Sequence, residues 1–147
     1  MKTVLHGLVN VLGRLLIATI FLLSAVGNKI PKFDDYAALM KSQGIPQPQV
    51  MLAGAILFLI AGSLSIILGY RARIGAGLLF VFLILATYYF HDFWNVSSLL
   101  KPQLKQEQII HFMKNLSMMG TMLFLMANGS GAMSLDQRHA SKTHKGK

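Results

Sequence analysis

The sequence predicts an all-α fold, an integral membrane four-helix bundle with both termini cytoplasmic. Three observations carry that prediction. Apolar runs of membrane-crossing length recur along the 147 residues, at about 5–27, 50–69, 74–91 and 109–127. Only 13% of the residues are charged against 54% hydrophobic, where a soluble domain carries about a quarter charged. No stretch alternates polar and apolar with period two, as the strands of a membrane barrel must. At 1.5 Å rise per residue, each run matches a hydrocarbon core about 30 Å thick, and backbone groups in lipid are satisfied within a segment only by a helix.

The first run, "LHGLVNVLGRLLIATIFLLSAVG" (5–27), follows Lys2 as a signal peptide would. Arg14 interrupts it and more apolar sequence follows, so it is read as a span. Helical periodicity places Asn10, Arg14, Phe21, Ser24 and Asn28 near one face, a partly polar stripe turned into the bundle. Arg14 either points inward or snorkels to the headgroups. No span contains an acid to pair with it, which leaves backbone carbonyls, water, lipid phosphate or a ligand as partners.

"FDDYAALMKSQGIPQPQ" (33–49) follows. Asp34 suits an N-cap, Gly44 a stop, and Pro46 and Pro48 bar continuation, so a short interfacial helix is expected at about 35–43 with Tyr36, Leu39 and Met40 inward. The second run joins the third through the tight turn "YRAR" (70–73), and "GAG" (75–77) reads as a helix-packing surface of small residues. The third run ends in "YYFHDFW" (88–94), whose aromatics fit a membrane-interface belt. In the fourth, "EQIIHFMKNLSMMGTMLFLM" (107–126), His111 and Asn115 share a face beside Lys114 and Ser117, and Met118, Met122 and Met126 form a line. Copper(I) would need further soft ligands from a second span, so the methionines are read as packing and no metal site is expected. Beyond Asn128, residues 129–147 read as a basic cytoplasmic tail, and the chain 1–147 as a single membrane domain.

Lys and Arg set the orientation. Lys2, Arg71, Arg73, Arg138, Lys142, Lys145 and Lys147 fall on one side, whereas Lys29, Lys32, Lys41, Lys101 and Lys105 on the other are diluted by acids. That bias favours cytoplasmic termini. Asn28 and Lys29, His91 and Asp92, and His111, Lys114 and Asn115 then converge at the outer face, where they suit an anionic or quinone-like headgroup, with His91 able to exchange a proton near neutral pH.

Other classes are excluded or disfavoured. Zero cysteines remove thiolate, disulfide and iron–sulfur chemistry. The net charge of +9 flanks apolar runs rather than forming a basic stripe, so the expected partner is the lipid bilayer and not nucleic acid. With no intramembrane acid–base pair, activated serine or phosphate loop, a non-catalytic subunit fits better than a standalone enzyme.

Six segments, in order, resemble the DoxX family: "GRLLIATIFLLSAVGNKI" (13–30), "GIP" (44–46), "AGSLSIILGYRAR" (61–73), "FHDFW" (90–94), "MKNLSMMG" (113–120) and "SLDQR" (134–138). The resemblance implies a small bacterial inner-membrane protein whose relatives include subunits linked to quinol or thiosulfate oxidation and a partner of oxidative-stress enzymes. By position, the family's recurrent polar residues match Arg14, Lys29, His91, Lys114 and Asn115. Many relatives carry an acid in the second span where this chain has Leu59, which puts any activity depending on that carboxylate in doubt. Three roles follow as expectations. The first is an accessory or quinone-interacting subunit of a membrane redox or oxidative-stress system, partnered by a membrane or periplasmic oxidoreductase or a second copy of itself. The others are a small-molecule carrier with Arg14 on its path, and a structural module that recruits partners.

Overall fold

The computed structural model describes residues 2–91, 93–95 and 101–137. Helix α1 runs Lys2–Leu22 and passes without a break into a π-helical turn, Leu23–Lys29. The short α2, Phe33–Ser42, is followed by α3, Pro48–Leu68, and α4, Ala72–Phe90. A single 3₁₀ turn, Phe93–Asn95, precedes α5, Pro102–Asn128. Among the described residues, the four helices starting at Val4, Pro48, Ala72 and Pro102 are long and apolar enough to cross a membrane.

Lipid changes what holds such helices together. Apolar burial supplies little drive when the solvent is itself apolar, so close packing decides the contacts. The tightest seam joins α3 to α4, where Gly62 and Gly75 bring backbone against backbone; a Cβ on Gly62 would lie 2.9 Å from the Gly75 carbonyl. Helix α4 also packs along α5, and α1 along α3. Between them lies a core of Phe21, Leu59, Ile66, Leu79, Leu83 and Met122. The outer surface carries Leu8, Leu12, Leu16, Leu57, Ile74 and Phe124, each more than half exposed, far more apolar surface than a water-soluble monomer tolerates.

Three segments depart from the sequence reading. Helix α5 starts at Pro102, not near 109, because Pro is preorganised for a first helical position and the polar "QLKQEQ" continues the helix past the apolar run. Helix α2 starts at Phe33, which puts Asp34 and Asp35 in its first turn, where the helix dipole favours negative charge, instead of at the cap. Residues 129–137, read as the start of a tail, fold back over the α3–α4 turn. The first N–H groups of α4 lack an intrahelical acceptor, and Asp136 supplies one. The rest of that segment, 138–147, lies outside the described residues.

Candidate functional site

The polar residues separate to opposite ends of the bundle. At one end, Arg14 is 4% exposed and its Nη2 donates to the Met133 carbonyl at 2.9 Å. The Asp136 carboxylate accepts from the backbone N–H of Arg71 at 2.8 Å and of Ala72 at 3.3 Å, and its own N–H donates to Gly69 O at 2.8 Å. Gly69 is required here twice over: its φ of 61° is left-handed, and a Cβ would run into Arg14 and Ser134. Arg14 Nη2 thus finds a backbone carbonyl, one of the partners open to it, while Nη1 is buried without a hydrogen-bond partner among the described residues, and the residue lies outside the lining of the cavity at the other end.

The opposite end holds a cavity of about 650 Å³, within the ~300–1,000 Å³ usual for small-molecule sites. Every membrane helix contributes to its wall, and α2 lies over it, anchored by Ala37, Met40 and Ile45 against Leu52. Most of the lining is apolar, with Ile20, Phe58, Phe82, Leu85 and Met118 among it. Its polar groups are Ser24, Lys29, Tyr36, Tyr89, His91, Lys114 and Asn115.

The π-helical turn decides which residue of the first helix enters. In α-register Asn28 follows Ser24 on one face, but an i→i+5 turn advances that face by one residue. Ile30 N–H accordingly reaches back to Ala25 O at 2.9 Å, and Lys29 Nζ donates to Ser24 Oγ at 2.7 Å. Lys29 also lies 5.3 Å from the Tyr36 ring centroid and 5.6 Å from that of Phe82, both within cation–π range. Asn28 is turned out, exposed, and donates to Leu23 O at 3.4 Å.

On the far wall, buried Asn115 donates from Nδ2 to Thr87 Oγ1 at 2.9 Å, which fixes the amide and ties α5 to α4. His91 Nδ1 donates to Gln108 Oε1 at 3.0 Å, and its ring stacks on His111 at 5.0 Å between centroids. Lys114 Nζ donates to His111 Nδ1 at 3.2 Å. His111 therefore stands behind the wall, supporting His91 and Lys114. Phe93 and Trp94 pack on Phe112, tying the segment after α4 to α5.

Of the expected ligand-binding residues, the fold gathers Lys29, His91, Lys114 and Asn115 around one cavity, with His111 adjacent. Arg14 and Asn28 lie elsewhere, and Asp92 lies outside the described residues. Ser24, on the stripe that the sequence turns into the bundle, and Tyr89, one residue before the end of α4, join the lining although the sequence reading does not name them as ligand contacts. Leu59 is fully buried in the apolar core.

The DoxX family model matches residues 9–92. The chain belongs to the DoxX family. It is similar to inner membrane protein YphA of Escherichia coli K12, 32% identical over 111 residues, covering 75% of this chain and 76% of that one. It is also similar to inner membrane protein YqjF of the same organism, 30% identical over 131 residues and covering 88% and 91% of the two chains. No solved structure matches it. With these relatives and four apolar spans, this DoxX-family chain is a multi-pass inner-membrane protein.

Proposed function

We propose that this protein is a ligand-binding, non-catalytic subunit of a membrane redox or oxidative-stress system, and that its ligand is an amphiphile with a hydrogen-bond-accepting head, as a quinone has. The observation that carries the proposal is the single cavity at which Lys29, His91, Lys114 and Asn115 meet from the first, third and fourth spans. The donors sit at one end of an otherwise apolar space, which suits a polar head with an apolar tail. With cytoplasmic termini, the cavity lies toward the periplasmic side, within reach of a membrane or periplasmic oxidoreductase.

The carrier reading has less support, because Arg14, on which it rests, is not among the residues lining this cavity and its Nη2 donates to the Met133 carbonyl at the other end of the bundle. Native mass spectrometry of the protein released from membranes in mild detergent tests the proposal. Wild type should carry an amphiphile or co-purify with an oxidoreductase, and His91→Ala and Lys114→Met should lose it. A bare chain with no ligand and no partner would contradict the reading.

A further inference from the structure

Among the described residues, the cavity has a charge that its walls do not balance. Lys29 and Lys114 both line it, and among the described residues no carboxylate lines it or pairs with either ammonium. Of the described acids, Asp34, Asp35 and Glu107 are exposed and outside the lining, and Asp136 also lies outside it, at the other end of the bundle. Lys29 is the more consequential of the two. Its Nζ is held by one neutral hydroxyl and two aromatic faces. A cation withdrawn from water is costly unless paired, and an ammonium has three donors of which Ser24 takes one.

We propose that the ligand is an anionic amphiphile, a carboxylate or phosphate monoester on a single apolar chain, with Lys29 as its counter-ion. The inference rests on the reading of this cavity as a ligand site and narrows the headgroup. A neutral quinone carbonyl accepts a hydrogen bond from Lys29 but leaves its charge unpaired. An anion satisfies both, and charge-assisted hydrogen bonds are roughly twice as strong as neutral ones. Asn115 and Lys114 face the head from the opposite wall. Apolar lining residues such as Ile20, Phe58, Leu85 and Met118 offer surface for the tail.

Fluorescence titration with cis-parinaric acid and with its methyl ester, on the full chain in phosphatidylcholine nanodiscs, tests this. The acid should bind and the ester should bind about thirtyfold more weakly. Lys29→Met should abolish the difference and Lys29→Arg should restore it. Gly54→Leu keeps the test open should Lys29→Met fail to fold. Gly54 lines the cavity, a Cβ there meets nothing within 4 Å, and the added bulk should block the acid while leaving the fold intact. Lysophosphatidic acid should displace the probe, and acetate or inorganic phosphate, lacking a tail, should not. Equal affinity for acid and ester overturns the inference. Binding of decylubiquinone without the acid overturns it while sparing the ligand-site reading, and binding of neither overturns both.

Discussion

Asp136 caps α4 from 65 residues further along the chain, its carboxylate 2.8 Å from the backbone nitrogen of Arg71. The α3–α4 turn has no side-chain cap of its own at Arg71, whose φ of 48° is left-handed. The two ends of the turn and the segment after α5 therefore stabilise one another. Replacing a capping carboxylate by alanine costs about 1 kcal/mol. Asp136→Ala should lower the thermal midpoint in detergent, Asp136→Asn should retain most of it, and ligand binding at the far cavity should be unchanged in both.

Arg14 holds the same segment from the other side, through the Met133 carbonyl at 2.9 Å. Arg14→Leu should speed amide hydrogen exchange over residues 130–137 while leaving exchange in α4 and α5 slow. Unchanged exchange across 130–137 would remove the anchoring role.

The Gly62–Gly75 approach sets the α3–α4 distance. Gly75→Leu would drive a side chain into Ser65 and the Gly62 carbonyl, and overpacking of this kind costs about 1–3 kcal/mol. Unfolding in denaturing detergent should show that loss, and Gly120→Leu, where a Cβ meets nothing within 4 Å, should not.

Leu59 tests whether the acid of many relatives can be accommodated here. It is packed with Phe21, Leu83 and Met122, and an aspartate at mid-span costs about 3 kcal/mol. Leu59→Asp should reduce the folded yield in membranes relative to Leu59→Met; equal yields would mean that a polar partner reaches the position.

Much of this was legible in the residues. Span number follows from hydropathy because lipid leaves the backbone no other solution. The convergence of Lys29, His91, Lys114 and Asn115 follows from counting spans, since connectivity alone puts those helix ends together. Register was not legible in the same way. The π-helical turn exchanges Asn28 for Lys29, and a 3.6-residue period cannot reveal one extra residue in a turn. Asp136 was hidden for a related reason: "SLDQR" follows a glycine-containing polar stretch that reads as tail, and its partner N–H groups lie in another hairpin. His111 shares the Asn115 face by periodicity, yet the stacking on His91 depends on how far α5 extends toward Pro102.

The absence of cysteine allows the central claim, an amphiphile seated between Lys29 and Asn115, to be tested with a single introduced thiol. Ala55→Cys places it in the cavity wall and Ser117→Cys on the exposed face of α5. The measurement is the rate of labelling by a small membrane-permeant thiol reagent, with and without added cis-parinaric acid. The account predicts that the acid slows labelling of Ala55→Cys severalfold and leaves Ser117→Cys unaffected. Equal rates with and without the acid at Ala55→Cys would contradict it.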